Sequence, residues 1–199
     1  LAQVMGNDQE MIDFLYRALG YSITGNVSEH ALFFCHGDGC NGKGTLLGTL
    51  QHMLGEYAIQ SSRDLLMHGS QHPTAIADLV GARMVVISEL DKKKAFSEGL
   101  IKQLTGGDRI RARKMRQDFF EFTPTHKFWL MANHKPRITG TDEGIWRRVF
   151  MIPFNVRITE EEKDIDLGRK LLTELPGILN RVLAGAAEWR SIGLAPPRA

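Results

Sequence analysis

The sequence is poor in cysteine and contains no long apolar run. Cys35 and Cys40 are its two cysteines among 199 residues, and they do not have CxxC spacing. Two such thiols predict neither a disulfide framework nor a metal site, and they fit a reducing cytoplasm. No eighteen consecutive residues are apolar, so no membrane-spanning helix is expected. The start, residues 1–4, has neither a signal-peptide pattern nor an initiator Met, which predicts a piece of a longer chain.

Basic and acidic residues nearly balance over the whole chain, but each kind is concentrated locally. The net charge is only +2, so the total says little about partners. Residues 102–116, however, carry six basic side chains against the single acid Asp108. Residues 159–166 are strongly acidic instead. A basic segment within a nearly neutral protein predicts a localised contact for phosphate groups.

Apolar runs and turn residues predict alternating strands and helices, with no internal repeat. Strands are expected at 31–35, 83–87, 127–132 and 149–152. A β-hairpin is expected within 110–122. Helices are expected at 8–19, where Gly20 would end the helix, at 45–54, 62–66, 73–79 and 97–104, and from residue 160 onward. This order predicts an α/β core with a largely parallel sheet.

A glycine-rich stretch between a predicted strand and a predicted helix indicates a phosphate-binding P-loop. Glycines let backbone N–H groups point inward, the helix N-terminus adds partial positive charge, and Lys43 would reach the β- and γ-phosphates of ATP. The loop comprises Gly37, Asp38, Gly39, Cys40, Asn41, Gly42, Lys43, Gly44 and Thr45. The alternative is a strand-to-helix turn that binds no nucleotide.

The position after Lys43 is occupied by Gly44 instead of the usual Ser or Thr, and Thr45 follows one step later. One helical step turns a side chain by about 100°. Thr45 is therefore a candidate Mg²⁺ ligand but is not equivalent to the usual one.

Polar side chains end two further predicted strands. Glu89 and then Asp91 follow the apolar run 85–87, where a carboxylate would hold Mg²⁺ or polarise the attacking water. Asn133 ends the run 128–132, where its amide would orient water beside the γ-phosphate. The alternatives are a surface acid at a strand end and an Asn that caps a turn.

Four segments in a fixed order resemble the superfamily 3 helicases. They are 104–110, 122–124, 132–136 and 142–148. The resemblance is closest to the C-terminal helicase module of phage and plasmid primase-helicases, with poxvirus-type relatives, and covers about residues 30–155.

The resemblance implies an α/β fold of AAA+ P-loop NTPase type, with a mainly parallel central sheet, an inserted β-hairpin and small helical segments at both ends. We expect an N-terminal helical segment at 1–28, the ATPase core at 29–157 and a C-terminal helical segment at 158–199. The family further implies ATP and Mg²⁺, single-stranded DNA, a homo-oligomeric ring of six copies and a primase domain in the full-length chain. It places the protein in the cytoplasm of a bacterial cell or a phage-infected host.

The resemblance also assigns catalytic roles to residues of this chain. Lys43 matches the P-loop lysine, Glu89 the Walker B acid and Asn133 the γ-phosphate sensor. Arg147 or Arg148 matches the arginine finger, which enters the site from a neighbouring subunit. The other arginine would contact nucleotide in its own subunit or pair with Asp142. The alternative for both is a surface pair.

The family's DNA-binding hairpin falls on 110–120, with Lys114 nearest the tip. An extended strand places alternate basic residues on one face, which suits tracking of a phosphate backbone. No aromatic residue stands at the tip, so we expect backbone contacts more than base recognition. The candidate DNA-binding residues are Arg109, Arg111, Arg113, Lys114 and Arg116. The alternative is a solvated basic loop.

Three remaining interpretations concern histidine, tryptophan and function. His126 and most other histidines are predicted on the surface or in loops, and Trp129, Trp146 and Trp189 are predicted in core or interface packing. The predicted function is ATP hydrolysis coupled to translocation along DNA, as in a replicative helicase. Two alternatives stay open: an ATP-dependent DNA-binding initiator or loading platform that does not unwind, and a P-loop kinase for small molecules.

Overall fold

A five-stranded parallel sheet forms the centre of the molecule. The computed structural model describes residues 1–69, 73–89, 94–135 and 143–197. The sheet strands are β1 (Leu32–His36), β2 (Ala58–Gln60), β3 (Met84–Ser88), β6 (Lys127–Ala132) and β7 (Val149–Pro153). Their order is β2-β3-β6-β1-β7, with parallel pairing throughout. A separate antiparallel hairpin consists of β4 (Ile110–Arg113) and β5 (Phe119–Phe122). The predicted fold class is confirmed.

Seven helices lie within the described ranges. They are α1 (Gln9–Ile23), α2 (Lys43–Leu54), α3 (Pro73–Ala77), α4 (Glu98–Thr105), α5 (Glu143–Trp146), α6 (Leu167–Thr173) and α7 (Leu175–Ile192). Three predictions were wrong: α1 continues past Gly20, 62–66 forms turns, and the C-terminal helices start at 167. The short edge strand β2 was not predicted.

Successive residues of each strand are buried on opposite faces of the sheet. Phe33 and Trp129 belong to the core cluster that includes side chains of α1, α2 and α7. Phe34 and Leu130 belong to the cluster on the other face, which includes side chains of α4 and β4. A sheet covered on both faces needs continuous apolar strands, which is why the strands were recognisable as uninterrupted apolar runs.

Helices α1 and α7 cross with their backbones in contact at two glycines. A Cβ on Gly20 would stand 2.1 Å from the backbone N of Ala186, and one on Gly185 would stand 2.1 Å from the carbonyl O of Tyr16. Glycine at both positions permits this approach, and the contact explains why Gly20 does not end the first helix. The predicted terminal segments therefore pack on each other and on the same sheet face.

The tryptophans and His126 differ in burial. Trp129 is fully buried and Trp189 is 8% exposed, as core packing predicts, whereas Trp146 is 51% exposed and is not packed in the core, which leaves interface packing as its predicted role. His126, predicted at the surface or in a loop, lies in the loop directly before the buried strand β6 and is 2% exposed. Among the described residues, no helix combines the length and apolar character that crossing a membrane requires.

Burial of His126 predicts a loss of stability in acid. Burial first, and the charge of Lys127 second, lower the pKa of His126 to about 4. In the unfolded chain the imidazole takes up a proton near pH 6.5, so between these values only the unfolded state is protonated and stability falls as pH falls. We expect this group to remove about 3 kcal/mol of unfolding free energy between neutral pH and pH ~4.

Urea unfolding of the wild type and of His126→Phe at both pH values measures this contribution. Carboxylates titrate equally in the two proteins, so the difference between their pH dependences isolates the histidine. Equal pH dependence in the two proteins would contradict the prediction.

Candidate nucleotide-binding site and arginine-rich hairpin

The glycine-rich loop joins the end of β1 to the start of α2 and needs glycine at two points. Gly37 has φ +144° and Gly42 has φ +87°, which L side chains rarely adopt. A Cβ on Gly37 would also stand 2.2 Å from the carbonyl O of Phe154. The amide of Ile158 donates to the carbonyl O of Cys40 at 2.7 Å, so the chain after β7 braces the loop.

Lys43 is the first residue of α2 and its ammonium lies inside the loop. Nζ donates to the carbonyl O of Gly37 at 2.5 Å and to Oδ1 of Asn41 at 3.0 Å. Asn41 in turn donates through Nδ2 to the carbonyl O of Phe154 at 3.1 Å. Burial lowers the pKa of Lys43, against the opposing influence of Cys35 and Asp38. A desolvated ammonium held by neutral oxygens is well suited to receive an anion.

Lys43, Glu89 and Asn133 line one cavity of about 500 Å³, together with Ser88 and His134. Glu89 and Asn133 directly follow β3 and β6, which are neighbours in the sheet. Carboxyl ends of parallel strands meet at one edge of a sheet, which is where such folds bind ligands. Three of the predicted catalytic residues therefore lie together.

Glu89 adopts a backbone conformation that is unusual for a residue with a side chain. Its φ is +58°, and its side chain is 80% exposed, with Oε2 3.9 Å from Nη2 of Arg63. Such conformations cost energy and concentrate at functional sites.

Asp91, the second predicted acid, lies outside the described residues. The described part of the chain contains no group of three or more His, Cys, Asp or Glu that could hold a metal ion.

Thr45 lines a different cavity from Lys43. That cavity, of about 650 Å³, lies among α1, α2, α6 and α7 and also includes Ile178 and Arg181. A Cβ on Gly44 would have no neighbour within 4 Å, so the position after the lysine faces open space. The predicted role of Thr45 as a Mg²⁺ ligand gains no support from this placement. Thr45 is one helical step beyond the usual position of this ligand, which turns its side chain by about 100°.

A third cavity, of about 790 Å³, includes the first glycines of the loop and shares Asn133 and His134 with the cavity that Lys43 lines. Lys135 and Arg157 line it beside His36. Burial, then the charges of Lys135 and Lys43, lower the pKa of His36. Lys135 and Arg157 therefore add positive charge beside the loop, which suits a polyphosphate.

Arg147 and Arg148 lie at the opposite edge of the sheet from the loop of the same chain. The carbonyl O of Arg148 accepts from the amide of Leu32 at 2.7 Å, at the start of β1, whereas the loop follows its end. Five strand residues separate these edges by ~16 Å. This separation gives no support to the interpretation that one arginine contacts nucleotide in its own subunit. The alternative pairing with Asp142 falls outside the described residues.

The two arginines differ in their surroundings. Nη1 of Arg148 donates to the carbonyl O of Gly144 at 2.6 Å, and its Nε is buried without a hydrogen-bond partner among the residues that the structure describes. The side chain of Arg147 is exposed and has no hydrogen-bond or ion-pair partner among the described residues. Arg147 is therefore the one that is free to reach another molecule.

The β4–β5 hairpin presents its arginines on one exposed face, as the alternation predicts. Arg111 pairs across the hairpin with Glu121, and Arg113 pairs with Phe119. Ile110 and the other inward residues of β4 are buried. The exposed tip contains Lys114, Met115 and Arg116, and Arg109 lies 3.8 Å from Glu121 at the base of the hairpin.

An exposed aromatic ring belongs to this face, which the sequence analysis missed. Phe119 is 47% exposed, and the guanidinium carbon of Arg111 lies 4.4 Å from its ring centroid. The tip itself contains no aromatic residue, whereas Phe119 is on the returning strand. Pairing the strands outward from the turn would have placed Phe119 opposite Arg113.

A parallel sheet with a P-loop after β1 and polar residues after the neighbouring strands defines a P-loop NTPase core of AAA+ type. Residues 35–148 match the family model described as "Family of unknown function (DUF5906)". The chain belongs to this family.

Viral proteins are similar to most of the chain. It is 32% identical over 212 positions to "Putative helicase L207/L206" of Acanthamoeba polyphaga mimivirus, covering 96% of this chain and 22% of that protein. It is 30% identical over 149 positions to "Putative helicase 022R" of Frog virus 3 (isolate Goorha), covering 71% and 15%. The chain thus spans about a fifth or less of the length of these relatives.

Solved structures of the NrS-1 C-terminal region share the fold. One has a TM-score of 0.77 at 16% identity and covers all of this chain and 46% of that chain. Another has a TM-score of 0.74 at 14% identity, covering 100% and 50%. Together with the viral relatives, they confirm the resemblance to superfamily 3 helicase domains that the motifs indicated.

Proposed function

We propose that the chain is the ATP-hydrolysing motor of a replicative DNA helicase, active at the subunit interfaces of a ring that moves along single-stranded DNA. The convergence of Lys43, Glu89 and Asn133 on one cavity carries this proposal. It is supported by the names of the viral relatives and by the basic hairpin.

The loop fits a triphosphate. Phosphate oxygens would replace the carbonyl O of Gly37 and Oδ1 of Asn41 as acceptors for the ammonium of Lys43. The backbone N–H groups at the start of α2 would add donors and the partial positive charge of the helix end. Glu89 would hold Mg²⁺ through its carboxylate, with phosphate oxygens and waters as further ligands, and the ion would neutralise charge on the phosphates.

Glu89 and Asn133 are proposed to act on the attacking water. As the alternative to holding Mg²⁺, the exposed carboxylate of Glu89 would polarise this water, and the amide of Asn133 would orient it from the adjacent strand end. Arg147 of a neighbouring copy would stabilise the charge that develops on the transferred phosphoryl group. Hydrolysis would then require assembly, because the arginines of each chain lie near the start of β1 and its own loop follows the end of β1.

Movement on DNA is proposed to depend on the hairpin. Arg109, Arg111, Arg113, Lys114 and Arg116 would contact phosphates of a single strand, and hydrolysis would shift the hairpin relative to the loop. A primase domain elsewhere in the full-length chain belongs to the same proposal.

Substitution of Lys114 by Ala tests the coupling. We expect DNA-stimulated ATPase activity and unwinding of forked DNA to fall about tenfold, while ATP affinity stays near wild type, because the tip touches DNA and not nucleotide. Lys163→Ala is the matched control, since Lys163 is also exposed but lies in the acidic segment beside Glu160. Unwinding by Lys114→Ala at the wild-type rate would reject this role.

The same assays separate the alternatives. ATP turnover and DNA binding without strand separation would favour a loading platform. Turnover that DNA leaves unchanged would favour a small-molecule kinase.

A further inference from the structure

The exposed face of the hairpin contains an aromatic ring that the core does not require. Phe119 is 47% exposed, whereas the hairpin residues that face inward, Ile110 and Ala112, are fully buried. Phe120 and Phe122 supply the aromatic side chains of the inward face of β5. A large apolar side chain left in water contributes little to folding. The exposed ring of Phe119 is therefore available to contact another molecule.

Two guanidinium groups lie against this ring. The guanidinium carbons of Arg111 and Arg113 are 4.4 Å and 5.2 Å from the ring centroid. Arg113 is the direct cross-strand neighbour of Phe119, and Arg111 lies one pair further along the same face. Because of this register, the ring of Phe119 and the guanidinium groups of Arg111 and Arg113 form one continuous surface.

We propose that Phe119, flanked by Arg111 and Arg113, is a stacking site for one unpaired nucleobase of single-stranded nucleic acid. Aromatic rings and guanidinium planes are the surfaces on which proteins stack unpaired bases, and they accept any base because each has a π-face. The N–H groups of the two arginines would contact the phosphates on either side of this base. The site rests on the proposed nucleic-acid function and adds base contacts to the backbone contacts expected from the sequence.

Loss of the Phe119 ring and loss of an arginine are expected to change DNA affinity and its salt dependence in different ways. Removing an arginine lowers affinity through its phosphate contact and makes the salt dependence less steep. Removing the ring lowers affinity through the base and leaves the salt dependence unchanged. A ring that only stiffens the hairpin would affect binding irrespective of whether the oligonucleotide carries bases.

The test compares oligo(dT) with an abasic oligonucleotide of equal length, bound to the wild type, Phe119→Leu and Phe119→Tyr. We expect the wild type to bind oligo(dT) about tenfold or more tighter than the abasic strand. Phe119→Leu should lose this ratio, and Phe119→Tyr should keep it. Met115→Ala is the matched control: Met115 is 75% exposed on the same hairpin without a π-face, and its loss should leave the ratio unchanged.

The outcomes separate this site from the proposed function. Equal weakening of both oligonucleotides by Phe119→Leu, or a wild type that does not distinguish them, would overturn the stacking site while leaving DNA binding intact. Failure of the wild type to bind either strand would refute the nucleic-acid function and the stacking site with it. Thermal unfolding of each variant shows whether the hairpin substitution has altered the fold.

Discussion

Replacing Lys43 by alanine is expected to lower kcat/KM for ATP hydrolysis by at least about a hundredfold, the effect of losing one preorganised charged donor at a phosphoryl-transfer site. The ammonium lies inside the loop and is held there by the carbonyl O of Gly37 and Oδ1 of Asn41. Without it, the loop retains backbone donors but no full positive charge at the point where the β- and γ-phosphates would meet.

Loss of hydrolysis in Lys43→Ala should not reflect unfolding. Burial disfavours the charged form of Lys43, so removing the side chain takes a desolvated cation out of the fold. Fluorescent-ATP binding and thermal unfolding, measured beside turnover, distinguish the two causes. Gly48→Ala is the control in the same helix, because a Cβ at Gly48 meets no atom within 4 Å. ATP binding by Lys43→Ala at wild-type affinity would remove the basis of the proposed site.

The second large effect is expected at Arg147. Its side chain is exposed, and its backbone lies at the end of the sheet opposite to its own loop, so we expect it to complete a site in another copy. Arginine fingers contribute about 10³- to 10⁵-fold to hydrolysis in other NTPases, and we expect Arg147→Ala to lose activity on that scale. Arg148→Ala should chiefly lower stability, because Arg148 binds the carbonyl O of Gly144 within its own chain.

Mixing two inactive proteins tests donation between copies. Lys43→Ala retains its arginine and Arg147→Ala retains its loop, so a mixed assembly contains interfaces at which both are present. We expect ATPase activity to reappear on mixing and to depend on the ratio of the two proteins. Persistent inactivity of a mixture that demonstrably co-assembles would show that Arg147 does not act across the interface.

The sequence predicts the loop and most strands because their signals are local. A buried parallel strand is a continuous apolar run, and a P-loop needs glycine at fixed positions around a lysine. Polar residues directly after such runs, Glu89 and Asn133, were therefore expected at one edge of the sheet before any distance was known. The lysine, the acid and the amide lie where this reasoning puts them.

Other features depend on contacts between distant parts of the chain. Gly20 is a helix-ending residue by propensity but remains helical because the backbone of α7 packs against it. The exposure of Phe119 depends on the hairpin register, and the edge on which Arg147 lies depends on the strand order. Strand β2 has three residues, too few to show a period. No local pattern encodes these relations.

The glycine crossing of α1 and α7 limits how the protein can be shortened. Phe14 and Leu15 from the first helix and Val182 from the last share a core cluster with Phe33 and Trp129 of the sheet. A fragment restricted to 29–157 would keep the loop, Glu89 and Asn133, but on that apolar sheet face it would keep only the cover that α2 provides. Any shortened form of this chain therefore has to retain both ends, since the first and last helices together cover the rest of that face.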